Sequence, residues 1–288
     1  MTTSSPTSTR ARTIDGRIVT VDVTGPDDGP VVILFHAAPG SRRFDPDPAA
    51  TAAAGVRLVT FDRPGYGGSD PLAAGSIPTI TRFADDAVAV LAALGVTDAV
   101  LAGWSAGGRI AAAVAARRPE LASALFVVAT PAPDDDVAWV PEGQRQAITM
   151  MKRDPGAAVA QMVEMLGDMA DPAGVVASVA AGPADAAALD DDPELRERLT
   201  TMAATAVAQG SIGVAADIVS YTVVDWGFDP SSIGAPTTAV YGDADTVVAP
   251  AHGEWWAARI PAAELVVVPD AGHLVITSAW PLVLAATR

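Results

Sequence analysis

Four short runs of the chain, residues 31–35, 56–61, 99–103 and 124–129, are dominated by apolar side chains without strict alternation. A strand with one wet face alternates apolar and polar residues, so runs of this kind are strands buried on both faces, as in the middle of a parallel sheet. Between them lie segments of helical periodicity, residues 80–94 and 106–117, which stop near Gly95 and before Pro119. Strands alternating with helices require right-handed crossovers and give a mostly parallel sheet covered by helices on both faces. Residues 12–23 alternate around Asp15-Gly16, a two-residue turn signal. An antiparallel edge hairpin should therefore open the fold, after a disordered tail of about ten residues.

Past the fourth run the pattern changes. Residues 134–228 carry helical periodicity without strand runs, interrupted by Pro141, Pro155, Pro172, Pro183 and Pro193. This predicts a helical cap inserted into a core made of residues 1–133 and 229–288. Strands resume at 236–241 and 264–268, separated by a helix over 251–259, and a last helix covers 275–287. A chain of 288 residues, half of them apolar and 18% charged, can bury a core of that size.

Composition narrows the function. With 34 acidic against 18 basic residues, the net charge of -16 repels nucleic-acid phosphates and anionic lipid heads, so neither nucleic acid nor membrane is an expected partner. No cysteine is present, which removes thiolate nucleophiles and thiolate metal sites. The first residues have no apolar leader segment and no run is long enough to span a bilayer, so a cytoplasmic location is expected. The expected partner is a small-molecule substrate, a homodimer is left open, and no cofactor or metal is expected.

Gly103-Trp104-Ser105-Ala106-Gly107 is a GxSxG pentapeptide set between a strand and a helix. Chance alone supplies such a pentapeptide on the order of 0.1 times in a chain of this length, so its position carries the weight. A strand-to-helix turn this sharp strains the serine backbone and leaves no room for a Cβ on the flanking residues. It puts Ser105 at the carboxyl edge of the sheet, where open α/β sheets bind ligands, with free helix N–H groups beside it. The bland alternative is a helix N-cap serine.

With this pentapeptide, His36-Ala37-Ala38-Pro39-Gly40, the run from Phe61 to Ser69 (FDRPGYGGS), Gly242-Asp243-Ala244-Asp245 and Ala271-Gly272-His273, the sequence resembles the α/β-hydrolase family over nearly its whole length. The resemblance implies a mostly parallel eight-stranded sheet flanked by helices, with an inserted helical cap. It implies Ser105 as nucleophile, Asp245 as acid and His273 as base. It also implies an oxyanion hole made by the backbone N–H groups of Ala38 and Ala106, although Ala37 stands where the family usually has glycine. Arg63 resembles a structural arginine that braces neighbouring loops.

Chemistry supports the same set. Of the three histidines, His36 falls in the oxyanion loop and His252 in a helix, leaving His273 in the turn after the last strand as the best base. The order Ser, Asp, His suits this fold, but spacing alone does not separate Asp245 from Asp243. Trp104, Trp139, Met165 and Trp226 are candidate substrate-binding residues, and a packing role would explain each of them equally. The expected function is cleavage of a small or apolar carboxylic ester or lactone through an acyl-enzyme. The alternatives are an aminopeptidase of the proline-iminopeptidase kind, with Glu142 and Glu164 as amine-binding acids, and cofactor-free haloperoxidase or perhydrolase chemistry on the same triad. A ligand receptor with a vestigial triad is the alternative outside enzymes.

Overall fold

The computed structural model describes residues 6–288. Its strands are β1 (Thr7–Arg12), β2 (Ile18–Thr24), β3 (Val31–Phe35), β4 (Arg57–Phe61), β5 (Ala99–Trp104), β6 (Ala122–Val128), β7 (Thr237–Gly242) and β8 (Ala263–Val268). They form one sheet in the order β1-β2-β4-β3-β5-β6-β7-β8. β2 pairs antiparallel with both β1 and β4, and the six strands from β4 to β8 are mutually parallel. Strand order reverses at β3, whose neighbours are β4 on one side and β5 on the other. That switch point opens a crevice at the carboxyl ends of β3 and β5.

The central strands are apolar throughout because both faces are covered. On one face Ile33, Phe35, Leu101, Leu125 and Val127 pack under α2 (Ile80–Ala93), α3 (Ala106–Arg117) and α10 (Ala251–Arg259). On the other, Val32, Leu34, Ala102, Phe126 and Val128 pack against α1 (Pro48–Ala54) and α11 (Ile276–Ala285). The expected order of strands and helices is thus present, with α1 as an additional helix. The amino-terminal expectation needs correction. β1 begins at Thr7, inside the stretch expected to be disordered, and pairs with β2 in register from Thr7 opposite Val23 to Arg12 opposite Ile18. Residues 1–5 of the expected tail lie outside the described residues.

Between β6 and β7 the chain is helical: α4 (Glu142–Met151), α5 (Pro155–Leu166), α6 (Pro172–Val179), α7 (Pro183–Asp191), α8 (Pro193–Ala206) and α9 (Ile212–Thr222). The prolines that interrupt the periodicity start helices. Pro155, Pro172 and Pro193 each occupy the first helical position behind an aspartate whose carboxylate accepts from backbone N–H groups of the first turn. No single helix among the described residues is long and apolar enough to cross a membrane.

One buried ion pair ties these helices to the sheet. Arg63, in the loop after β4, meets Asp217 of α9, with Nε at 3.0 Å from Oδ1 and Nη2 at 2.6 Å from Oδ2, and both side chains are almost fully buried. The remaining donors go to the loop after β3: Nη1 donates to the His36 carbonyl at 2.6 Å and Nη2 to the Ala37 carbonyl at 2.9 Å. Tyr66 adds its hydroxyl to the same carboxylate at 2.7 Å. Removing one member of such a pair strands the other charge in the interior. Asp217→Ala should therefore destabilise the protein by about 3–5 kcal/mol. Asp217→Asn, which keeps an acceptor, should cost less, and both are read from chemical denaturation midpoints.

Candidate active site

Ser105 follows the last residue of β5 and precedes the first of α3, with φ 55° and ψ -122°. A non-glycine residue in this region is strained, and the surroundings hold it there. A Cβ on Gly103 would strike the backbone of Gly108, one on Gly107 would strike the carbonyls of Phe35 and His36, and one on Gly108 would strike Thr130. The three glycines thus let α3 start immediately against β3 and β5. The Ser105 N–H donates to the Val128 carbonyl at 2.8 Å, fixing the turn to β6. Its hydroxyl makes no capping bond to α3, so the N-cap alternative is not what this serine does.

At the ends of β7 and β8, the Asp245 carboxylate meets the His273 ring, Oδ2 lying 2.9 Å from Nδ1. Its other oxygen accepts from the N–H groups of Val247 and Val248 at 2.7 and 2.9 Å, which locks the carboxylate in place. Asp243 is turned away, accepting from the Asp270 N–H at 2.7 Å. Ser105, Asp245 and His273 are all buried.

Two groups hold the histidine loop, and sequence reasoning did not single out the first of them. Asp185 of α7 is buried and accepts from the Leu274 N–H at 2.8 Å. The Trp104 indole donates to the His273 carbonyl at 2.9 Å. Trp104 was a substrate-binding candidate, but it is fully buried and packs against Phe44 and the His273 ring. It supports the His273 loop and ring.

The loop after β3 reaches the amino end of α3 because Gly107 admits the Phe35 and His36 carbonyls. Ala106 is the first helical residue, so its N–H has no partner within the helix. The N–H of Ala38 donates to no other backbone group among the described residues. Ala37 replaces the family's glycine without strain: its φ is not positive, its side chain is buried, and its carbonyl is held by Arg63. His36 is neutral scaffolding. Burial and the Arg63 charge hold its pKa well below the ordinary imidazole value, and Nδ1 bonds the Ala37 carbonyl at 2.7 Å.

The remaining candidates divide. Met165 is 47% exposed on α5 and faces solvent rather than a pocket. The inward methionine of that helix is Met162, packed among Val140, Ile148, Ala158 and Val219. Trp139 and Trp226 are brought together, both against the guanidinium of Arg109 on α3, at 5.6 and 5.3 Å from their ring centroids. Glu142 and Glu164 are exposed, which leaves the aminopeptidase alternative without buried acids for an amine. His252 is buried, accepting the Ala132 N–H at Nδ1, and burial with the nearby Arg109 charge lowers its pKa to about 4.

Sheet order, crevice and elbow together define the α/β-hydrolase fold, and the proteins that the chain resembles in sequence and structure support a hydrolase enzyme. A family model described as alpha/beta hydrolase fold matches residues 30–161. The chain is 28% identical over 228 residues to a pimeloyl-[acyl-carrier protein] methyl ester esterase of Aromatoleum aromaticum, covering 76% of this chain and 81% of that protein. A bifunctional esterase/perhydrolase of Acinetobacter calcoaceticus is 36% identical over 110 residues, which span 37% of this chain and 39% of that one. Among solved structures, a hydrolase from Pseudomonas aeruginosa superposes with a TM-score of 0.72 at 25% identity, covering 97% of this chain and 96% of that one.

The depressed pKa of His252 has a measurable sign. Above pH 6.5 both folded and unfolded rings are neutral; as pH falls toward 4 the unfolded ring takes up a proton that the folded ring refuses, so stability is lost. His252→Gln should remove this contribution, giving a shallower fall of Tm than wild type between those pH values in calorimetric scans.

Proposed function

We propose that this hydrolase cleaves a carboxylic ester or lactone through an acyl-enzyme formed on Ser105. The observation that carries the reading is the buried Asp245–His273 pair at the same sheet edge as the strained Ser105 elbow. With Nδ1–H donated to Asp245, the His273 ring keeps its Nε2 lone pair for a proton from Ser105. The serine oxygen then attacks the substrate carbonyl, and its proton passes to Nε2. The tetrahedral oxyanion is held by the N–H groups of Ala38 and Ala106, preorganised donors of the kind worth about 3 kcal/mol each. Collapse expels the alcohol, which takes the proton back from Nε2. Water, deprotonated by the same nitrogen, releases the acid and restores the serine.

The sequence relation to a methyl ester esterase supports an ester, and the relation to an esterase/perhydrolase supports a second use of the same intermediate. In that branch hydrogen peroxide replaces water as the attacking molecule, and the product is a peracid. Both branches need the acyl-enzyme. Neither requires a metal or a cofactor.

Ser105→Ala should lower kcat on p-nitrophenyl esters by about 10⁴-fold or more, and Asp245→Asn by on the order of 10³- to 10⁴-fold, with folding unchanged by circular dichroism. Intact-protein mass spectrometry should catch an acyl adduct on wild type but not on Ser105→Ala. Ester hydrolysis that survives in Ser105→Ala, or hydrolysis of a prolyl arylamide in preference to any ester, contradicts the proposal.

A further inference from the structure

The backbone of His273 is fixed through one peptide unit. The His273 carbonyl and the Leu274 N–H belong to the same rigid plane, and a side chain holds each of them. The Trp104 indole donates to the carbonyl at 2.9 Å, and Asp185 Oδ1 accepts from the N–H at 2.8 Å. A plane gripped at both ends resists rotation about its Cα–Cα axis, which sets ψ of His273 and the direction in which the ring leaves the chain. One grip comes from the end of β5, next to Ser105. The other comes from α7 in the insertion, 89 residues before the bond it makes.

Asp185 is 1% exposed and forms no ion pair among the described residues, so its carboxylate is a buried charge met by backbone N–H groups. Oδ2 accepts from the Gly182 N–H at 3.4 Å within the first turn of its own helix, while Oδ1 crosses to the histidine loop. Helix capping alone does not require this burial. Asp154 and Asp171 cap α5 and α6 from exposed positions. The crossing oxygen supplies what the receiving helix lacks. The 3-10 turn His273–Val275 runs into α11 with no side-chain cap from its own segment, so the Leu274 N–H is a free donor at the positive end of a helix.

The start of α7 approaches both catalytic loops closely. A Cβ on Gly272 would strike all three atoms of the Asp185 carboxyl group, so the absence of a side chain just before the base lets α7 come this near. The φ of Gly272, -93°, is open to any residue, which leaves space and not conformation as the reason. At the other end of the same helical turn, a Cβ on Gly182 would lie 3.1 Å from the hydroxyl of Thr246, the residue after Asp245. The two loops are also joined to each other, the Ala244 N–H donating to the Ala271 carbonyl at 3.0 Å and the Asp270 N–H to Asp243 at 2.7 Å. A shift of α7 therefore acts on acid and base together.

We propose that Asp185 is a positioning residue for His273: by holding the Leu274 N–H from the insertion it keeps the ring seated on Asp245, so that α7 sets the efficiency of proton transfer without carrying a reacting group. The kinetic consequence rests on the ester-hydrolase reading above, whereas the consequence for the ring's geometry does not. Misplacing a reacting group by about 1 Å costs on the order of 100-fold in rate. The loss should fall on kcat and spare KM, because Asp185 acts on the base and not on substrate binding.

The test uses the full chain with Asp185→Ala, Asp185→Asn and Gly272→Ala, assayed on a p-nitrophenyl ester and normalised to the sites that a fluorophosphonate labels. Asp185→Ala should lower kcat by about 10- to 100-fold while KM stays within about threefold of wild type. Asp185→Asn, which keeps an oxygen for the Leu274 N–H, should recover most of the loss. Gly272→Ala, whose methyl group displaces the carboxylate, should also lower kcat, and adding Asp185→Ala to it should cost little more. A second readout needs no turnover. The downfield proton resonance of the His273 Nδ1–H, assigned by its loss in His273→Gln, should broaden or move upfield in Asp185→Ala and persist in Asp185→Asn. An Asp185→Ala variant with lowered Tm but with kcat and resonance as in wild type overturns the proposal, since the bond then serves folding alone. Equal losses of kcat in Asp185→Ala and Asp185→Asn, or additive losses in the double variant, overturn it too. Should Asp185→Ala fail to fold, unchanged kcat and resonance in Gly272→Ala do the same. A wild type that cleaves no ester sinks the ester reading, and the resonance then decides the role of Asp185 by itself.

Discussion

Everything at the sheet's carboxyl edge depends on where Arg63 finds its partners. A guanidinium with that little exposure is tolerable only when its donors are matched, and the matches come from two separate parts of the chain: the Asp217 carboxylate on α9 and the carbonyls of His36 and Ala37. The loop that carries the Ala38 N–H therefore takes its shape from a charge pair anchored in the helical insertion. Displacing α9 would unfasten the backbone that carries the Ala38 N–H, one of the two oxyanion donors proposed above.

The same economy governs the other side of the crevice. A strained serine, a buried carboxylate and a buried imidazole are each unfavourable in isolation, and each is held by a group that has no chemistry of its own. Val128 holds the elbow, Val247 and Val248 orient Asp245, and Trp104 with Asp185 pins the turn around His273. Asp185 comes from α7, so the insertion braces the histidine loop as it braces the loop after β3. The helices between β6 and β7 are thus part of the site's scaffold.

What the sequence made legible follows from the range of the interactions involved. Strands buried on both faces write their status into consecutive residues, and the elbow writes its tight packing as Gly103, Gly107 and Gly108. Asp217 and Asp185 left no such trace, because their partners lie 154 and 89 residues away. The polar strand β1 was misread as tail since its side chains are exposed at five of six positions and only pairing with β2 makes it a strand. On α5 the period was right and the face was wrong: Met162 and Met165 share a side by spacing, yet the contact with Val219 selects the first and leaves the second in solvent. Asp245 and Asp243 stand two residues apart in one loop. The bonds to Val247 and Val248 that aim the first, and the bond to Asp270 that turns the second away, are what part them.

Seen as a distribution of charge, the site inverts the rest of the protein. A chain with a net charge of -16 gathers two fully buried arginines around one helix start, and α3 adds the positive end of its dipole at the same point. Arg63 is neutralised by Asp217, so its field is largely spent on structure. Arg109 has no carboxylate within hydrogen-bonding distance, and the rings of Tyr221, Trp226 and Trp139 meet its charge instead. The two arginines thus offset the cost of a buried charge in different ways, one with a carboxylate and one with aromatic faces.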